Sequence, residues 1–211
     1  MPADRIHLIR HGEVHNPDGV LYGRLPQFRL SNLGHQMAAA AAAELKSQKR
    51  EVTAIYNSPL LRTRESAEHI QAAFGLGSTT DERLIEPYNV FEGRKLSASH
   101  LLLRPHLYFH LRNPSKPSWG EPFNQIAQRM QEAITDAWQK TAFGDAVLVS
   151  HQLPIVMASL AFAGKPLPHN PKQRRCSLSS ITTFERRGNT FVEVDYKEPS
   201  KGLNAIDRGA V

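Results

Sequence analysis

Hydrophobic and polar residues follow one another along this chain in short blocks that predict strands followed by helices. Apolar β-forming runs cover residues 5–10, 53–57 and 146–150, and each precedes a segment with helical spacing of its apolar positions. Strands that alternate with helices in this way are typical of an α/β fold. We therefore expect a three-layer α/β/α sandwich with a mostly parallel sheet.

The predicted helices are marked by capping residues or by a four-residue spacing of apolar side chains. They cover residues 31–47, 58–74, 123–142 and 153–164. Ser31 is the expected N-cap of the first helix, whereas Ser58 is expected to cap the second with Pro59 as its first residue. The fourth stretch is far shorter than the roughly 20 residues that a membrane span needs, so we predict a buried helix there.

The C-terminal third of the chain carries a different pattern. Residues 178–185 and 190–196 flank a turn at 187–189 and predict a hairpin or an antiparallel sheet edge. We predict one domain over residues 1–196, followed by a loose tail over 197–211. Residues 88–122 lack a clear period and are rich in proline, which indicates a loop or lid on the substrate side.

Composition narrows the class of protein. The chain has 211 residues, of which 40% are hydrophobic and 22% charged, enough to form a single buried core. The first apolar run is too short for a signal peptide, and a lone cysteine, Cys176, agrees with a reducing compartment, so we expect a cytoplasmic protein without membrane association. A formal charge of +6 favours an anionic partner, either a phosphate ester or a nucleic acid.

Four residues with phosphate-binding or nucleophilic chemistry follow the predicted strands. Arg10 and His11 follow the first strand, Arg62 lies at the start of the helix after the second, and His151 follows the third. The carboxyl ends of parallel strands share one edge of a sheet, so these side chains should converge there. Two arginine forks and a helix N-terminus suit a phosphoryl group, and a neutral histidine can attack phosphorus when its other ring nitrogen keeps a proton.

Several further segments occur in a recognisable order. They are Leu8-Ile9-Arg10-His11-Gly12-Glu13, then Tyr22-Gly23-Arg24 with Leu30-Ser31 and Gly34, Ser58-Pro59-Leu60-Leu61-Arg62-Thr63, Leu84-Ile85-Glu86, Gly120-Glu121 and Val147-Leu148-Val149-Ser150-His151. In this order the segments resemble the histidine phosphatase superfamily, also called the phosphoglycerate mutase-like family.

The resemblance implies a role for each matching residue. His11 would accept the phosphoryl group, while Arg10, Arg62 and His151 would hold its oxygens. Glu86 would protonate the leaving alcohol and then take a proton from the attacking water. The implied activity is the hydrolysis of small phosphorylated metabolites through a phosphohistidine, with neither a cofactor nor a metal ion.

The pattern is weaker where contacts to the leaving group are expected. Candidate substrate-binding residues are Asn16, Gly23, Arg24 and Gln152. Asn16 lies five residues after His11, whereas many family members have an asparagine six residues after the nucleophile. Gln152 stands where the family usually has glycine, and this change is expected to reshape the pocket.

Other functions remain possible from the sequence. One is a mutase that returns the phosphoryl group to a phosphoglycerate, although family mutases tend to have a longer central segment. Another is a binding module for a phospho-ligand or nucleic acid, but the basic cluster at 172–175 lacks neighbouring aromatic residues that could stack on bases. His106 and His110, with His100 nearby, have ligand-like spacing without an acidic or cysteine partner, so we predict no metal site. No pattern indicates an oligomeric state.

Overall fold

Six strands form a single sheet in this chain, for which a computed structural model describes residues 2–94 and 120–203. The strands are β1 (Arg5–Arg10), β2 (Val52–Asn57), β3 (Thr79–Thr80), β4 (Asp145–Ser150), β5 (Ile181–Arg187) and β6 (Thr190–Lys197). Their order is β3-β2-β4-β1-β5-β6, with the first four parallel and the last two antiparallel. The predicted α/β fold with a mostly parallel sheet is confirmed.

Four α-helices connect or flank these strands in the described part of the chain. They are α1 (Asn32–Ser47), α2 (Leu61–Phe74), α3 (Phe123–Lys140) and α4 (Gln152–Phe162). Ser31 caps α1 as predicted, because its hydroxyl accepts a hydrogen bond from the Gly34 amide at 2.9 Å. The predicted start of α2 is wrong: the helix begins at Leu61, after Leu60 rather than Ser58 as its cap.

Ser58 does not cap α2 because its hydroxyl has another partner. The Oγ atom is hydrogen-bonded to Nε2 of His151 at 2.8 Å, and its distance to the Leu60 amide is 3.5 Å. Serine and proline at a helix start are indistinguishable in sequence from serine and proline one turn before it. The displaced start leaves Arg62 in the first turn of α2, where it was expected.

The helices cover both faces of the sheet and make three layers. Successive residues of a strand point to opposite faces, so Leu8 and Leu148 pack against α3 and α4, whereas Ile9 and Val149 pack against α1 and α2. Each face has its own hydrophobic cluster. The two central strands are therefore buried on both sides, as expected for parallel strands between helices.

A polar network lies at the start of β4, at the opposite end of that strand from His151. The Asp145 carboxylate accepts hydrogen bonds from Arg50 Nε at 2.6 Å and Nη2 at 2.7 Å. Nε2 of His7 lies 3.1 Å from the same carboxylate, and its Nδ1 lies 2.9 Å from the hydroxyl of Thr183. This network joins β1, β4 and β5 below the central strands.

Parts of the sequence prediction fall beyond the described residues. Of the predicted loop at 88–122, residues 95–119 lie outside them, as do residues 204–211 of the predicted tail. Ser200 still donates a hydrogen bond to the Leu178 carbonyl at 2.9 Å, so the tail touches the sheet edge shortly after β6. The proposed boundaries of the domain and tail remain predictions. Among the described helices, none has the length and apolarity needed to cross a bilayer.

Candidate active site

The carboxyl ends of the central strands bring five predicted site residues together. Each has at most 5% of its surface exposed; they are Arg10, His11, Arg62, Glu86 and His151. The first two end and follow β1, Arg62 opens α2 after β2, and His151 follows β4. Glu86 follows a short 3-10 helix at Glu82–Leu84 that packs against α3 and β4.

The protonation of His11 follows from its hydrogen bond. Its Nδ1 lies 2.7 Å from the carbonyl oxygen of Gly12, and a carbonyl oxygen can only accept, so Nδ1 carries the proton. Burial lowers the pKa of His11 well below its ordinary value, and the charges of Arg62 and Arg10 lower it further, against the opposing effect of the Gly12 bond. His11 is therefore neutral, and the lone pair of its Nε2 is available.

Gly12 is required by the close approach of two chain segments. A Cβ atom at this position would lie 2.3 Å from the carbonyl oxygen of Gly34, near the start of α1. A Cβ atom on Gly34 would in turn lie 2.0 Å from the carbonyl oxygen of Glu13. These two glycines let α1 begin directly against the chain that carries His11.

Arg62 has one bonded nitrogen and two that lack a protein acceptor. Its Nη2 donates to the carbonyl oxygen of Gly23 at 2.7 Å, and its guanidinium carbon lies 4.8 Å from the centre of the Tyr22 ring. Within the described residues, Nε and Nη1 are buried and find no acceptor. Unsatisfied buried donors on a charged group are costly, and an anion would satisfy them.

Arg10 and His151 complete the positive wall around His11. Nη1 of Arg10 donates to the carbonyl oxygen of Cys176 at 2.8 Å. The ring of His151 lies 5.2 Å from that of His11, at 64° to it. Burial, followed by the charge of Arg62, lowers the pKa of His151 well below its ordinary value, so its ring is neutral as well.

Glu86 is the acidic group of the cluster. One carboxyl oxygen, Oε2, lies 3.6 Å from Nδ1 of His151, and the other has no hydrogen-bond partner among the described residues. Burial raises the pKa of Glu86 from 4.5 to about 7, although neighbouring arginine charges, that of Arg62 first, oppose the rise. Glu86 can therefore hold or release a proton near neutral pH, as a general acid and base must.

A second set of charges holds the backbone beside Glu86. Nε of Arg24 donates to the carbonyl oxygen of Glu86 at 2.6 Å, while its Nη2 donates to Glu121 at 3.2 Å. Glu121 also accepts two hydrogen bonds from Arg129, at 2.8 and 2.9 Å, and Arg129 donates to the carbonyl oxygen of Arg83. The segment that carries Glu86 is thus fixed at both ends.

Comparison with known proteins agrees with this arrangement. The family model of the histidine phosphatase superfamily, branch 1, matches residues 6–198. The chain belongs to this superfamily. The resemblance seen in the sequence is confirmed.

Similar proteins carry several names within the family. The chain is 45% identical over 202 residues to the uncharacterized protein Rv0525 of Mycobacterium tuberculosis, covering 95% of this chain and 99% of that protein. It is 28% identical to the probable phosphoglycerate mutase GpmB of Yersinia enterocolitica, covering 84% of each.

Solved structures share the fold over nearly the whole chain. Bacillus stearothermophilus YhfR superposes with a TM-score of 0.75 and 26% identity, covering 90% of this chain and 95% of that one. A phosphoserine phosphatase from Entamoeba histolytica, solved with 3-phosphoglyceric acid, superposes with a TM-score of 0.73 and 23% identity, covering 91% and 95%. The phosphoglycerate mutase-like fold class is thereby confirmed.

Within this histidine phosphatase fold, the predicted substrate-binding residues have structural contacts of their own. Both side-chain polar atoms of Asn16 bond the backbone of Val20, at 2.8 and 3.2 Å, and close a turn. Gly23 supplies the carbonyl that holds Arg62, and Arg24 holds Glu86. Their contacts with a substrate remain predictions.

Gln152, in the position where the superfamily usually has glycine, bridges two parts of the chain. Its Nε2 donates to the Cys176 carbonyl at 3.4 Å, the same oxygen that accepts from Arg10. Its Oε1 accepts from Nη1 of Arg174 at 3.3 Å. Arg174 was predicted to be part of a basic surface cluster, yet the structure places it half-buried beside Gln152.

Some participants were not identified from the sequence. Ser58, read as a helix cap, is bonded to His151, and Tyr22 lies over Arg62. The Cys176 thiol is buried, in agreement with a packed residue, while its carbonyl contributes to the site. No signal in the sequence reports a backbone carbonyl or the destination of one arginine in a cluster of two.

The prediction about metal ions concerns residues on both sides of the described boundary. In the ranges 2–94 and 120–203, no three histidine, cysteine or acidic side chains form a group that could hold a metal ion. The sequence candidates His100, His106 and His110 lie outside those ranges.

Proposed function

We propose that this histidine phosphatase hydrolyses small phosphomonoesters through a phosphohistidine on His11, with Glu86 as general acid and base and without a metal ion. The observation that carries the proposal is the bond from His11 Nδ1 to the Gly12 carbonyl, because it fixes the proton on one nitrogen and leaves the lone pair on the other. We infer that the partner is a phosphorylated metabolite in the cytoplasm.

In the first step, the phosphoryl group lies among Arg10, Arg62 and His151. The lone pair of His11 Nε2 attacks phosphorus, and the bond from phosphorus to the ester oxygen breaks. Glu86 gives its proton to that oxygen, so the alcohol leaves neutral. The buried arginine forks stabilise the negative charge on the equatorial oxygens, which is the main contribution a protein makes to phosphoryl transfer.

In the second step, Glu86 is ionised and takes a proton from water. The water oxygen attacks phosphorus, the bond from phosphorus to Nε2 breaks, and inorganic phosphate is formed. His11 returns to its neutral state with the Nδ1 proton still bonded to Gly12. One carboxyl group can serve both steps because a pKa of about 7 makes both of its forms accessible.

The alternative product is a rearranged phosphoester. The relatives named probable phosphoglycerate mutase support a reaction in which the phosphohistidine passes its phosphoryl group back to an alcohol instead of to water. Similarity of fold to a phosphoserine phosphatase supports hydrolysis. A binding module without catalysis is disfavoured, since the nucleophile, the acid and the arginine forks lie together.

The test measures phosphate released from a panel of sugar phosphates, phosphoglycerates, phosphoserine and nucleotides by wild type and His11→Ala. His15→Ala is the matched control, because His15 is an exposed histidine four residues away. We expect turnover of at least one ester by wild type and the control, and a loss of at least about 1,000-fold in His11→Ala. Equal release by all three proteins would contradict the proposal.

Two further measurements separate the parts of the proposal. A labelled enzyme intermediate should be lost on acid treatment, because a phosphohistidine is acid-labile, and an acid-stable label would point to another nucleophile. Isomerisation of 3-phosphoglycerate with a bisphosphorylated primer would favour the mutase. Activity that disappears with EDTA and returns with a divalent cation would contradict metal independence.

A further inference from the structure

A loop between α4 and β5 brings one arginine of the basic cluster to the candidate active site. Arg174 donates from Nη1 to Oε1 of Gln152, the residue that directly follows His151. Gln152 also bonds the Cys176 carbonyl, which holds Arg10. Arg174 is thus connected to both His151 and Arg10 through a single glutamine side chain.

A histidine fixes the other side of this guanidinium. Nδ1 of His169 lies 2.8 Å from the Leu167 carbonyl, so that nitrogen carries the proton. The remaining nitrogen, Nε2, accepts a hydrogen bond from Nε of Arg174 at 2.9 Å. The bonds to Gln152 and His169 orient the planar fork of Arg174 without cancelling its charge.

The charge of Arg174 is directed toward the acid rather than toward the nucleophile. Charges that lower the pKa of His11 are those of Arg62 and Arg10. Arg174 instead acts on Glu86, lowering the pKa of that carboxyl, with Arg62 and Arg10 the larger electrostatic contributors. Glu86 protonates the leaving oxygen in the proposed reaction, so Arg174 faces the alcohol part of a substrate.

The neighbouring Arg175 has the opposite environment. Its side chain is 59% exposed and pairs with Glu193, and its guanidinium lies 4.4 Å from the centre of the Tyr196 ring. Both arginines add the same charge to the protein, but only Arg174 is bonded to the residue after His151. The chain therefore contains its own control for long-range attraction of anions.

We propose that Arg174, oriented by Gln152 and His169, binds a second anionic group on the alcohol part of the substrate. This inference rests on the proposed function, in which Arg10, Arg62 and His151 hold the transferred phosphoryl group. The substrate class is then a phosphomonoester that also bears a carboxylate or another phosphate. An arginine fork suits either anion, since each presents two oxygens in one plane.

The experiment compares esters that differ in the second anion alone. One pair is 3-phosphoglycerate and glycerol 3-phosphate, which have a carboxylate and a hydroxymethyl group at the same position. A second pair, fructose 1,6-bisphosphate and fructose 6-phosphate, tests a second phosphate. For at least one pair we expect wild type to prefer the doubly anionic ester by roughly 10- to 100-fold in kcat/KM, the usual contribution of a hydrogen bond to a charged group.

Arg174→Gln should remove most of that preference, whereas Arg175→Gln should retain it. The pair whose preference depends on Arg174 identifies the second anion. Two outcomes overturn the inference: a preference that survives in Arg174→Gln, or an equal loss in the two variants, which would indicate attraction by net charge. The absence of any preference in wild type would overturn it as well.

Binding measurements make this test independent of turnover. In the His11→Ala background, calorimetry gives the ratio of Kd values for the same ester pairs, with and without Arg174→Gln. A ratio that depends on Arg174 without hydrolysis by wild type would support the anion site and contradict the phosphatase. Hydrolysis through His11 with a ratio that ignores Arg174 would support the phosphatase and contradict the anion site.

Discussion

The change Glu86→Gln separates the catalytic role of this carboxyl group from its effect on stability. Glutamine keeps the shape of the side chain but can neither give a proton nor become charged. A positioned general acid typically contributes about 100- to 10,000-fold to the rate. We expect a loss of that size in kcat for an alkyl phosphate, and a much smaller loss for p-nitrophenyl phosphate, whose leaving group needs little protonation.

The same substitution should stabilise the folded protein at alkaline pH. Burial raises the pKa of Glu86 from 4.5 to about 7, so the folded state binds this proton more tightly than the unfolded state does. Stability is then lost as pH rises from 4.5 to 7 and stays low above that range. At about 1.4 kcal/mol per pH unit, the difference corresponds to about 3 kcal/mol. Glutamine does not ionise, so Glu86→Gln should be more stable than wild type by about this amount at pH 8.

Urea unfolding at pH 4 and pH 8 measures the effect, with Glu82→Gln as control. Glu82 is an exposed carboxylate four residues earlier, and its replacement should change the unfolding free energy by less than about 0.5 kcal/mol and leave the rate unaltered. The reasoning would be refuted if Glu86→Gln lost stability at pH 8 by more than at pH 4, or if both phosphate esters lost activity equally.

Two further substitutions test the arginine fork and the polar network at the start of β4. Arg62→Lys keeps the charge but loses the planar fork and the bond to the Gly23 carbonyl, so kcat/KM should fall by roughly 100-fold in a phosphate-release assay. Burial opposes ionisation of Asp145, yet hydrogen bonds from Arg50 and His7 outweigh it and hold its pKa below the ordinary value. Stability from this group is therefore present above pH 3.8 and lost as pH falls through the folded pKa, so Asp145→Asn should cost about 2 kcal/mol at pH 7 and flatten the acid limb of the urea-unfolding profile.

Each of these two changes has a control in the same region. Arg64→Lys replaces an exposed arginine two residues after Arg62 and should leave kcat/KM within about twofold. Asp136→Asn removes an exposed ion-pair partner of Arg83 and should cost less than about 1 kcal/mol. A larger loss in either control than in its test variant would show that charge alone, rather than burial and geometry, determines the effect.

The sequence predicted those parts of the molecule that depend on local periodicity or on short motifs. Ser31 as the cap of α1 is local information, since the capping bond spans three residues. The position of β5 beside β1 is not, because the pairing joins residues about 175 positions apart and no motif announces it. Strand order at that edge follows from packing of the whole chain.

The same distinction applies to the candidate site. Arg10, His11, Arg62 and His151 could be placed because each follows a predictable strand, and parallel strands end at one edge. The arrangement of Arg174 could not, because two adjacent arginines in a loop are equivalent until the loop is folded. Their environments differ only through contacts with distant residues such as Gln152 and Glu193.

Carbonyl oxygens of the main chain hold the principal groups of this site: His11 through Gly12, Arg62 through Gly23, Arg10 through Cys176, and Arg24 through Glu86. A carbonyl does not titrate, so these supports are the same in acid and in base. They also survive any exchange of the side chain that does not move the backbone. Alanine scanning would therefore find Cys176 silent even though its oxygen orients an essential cation, and amide-to-ester replacement is the chemistry that would reveal it.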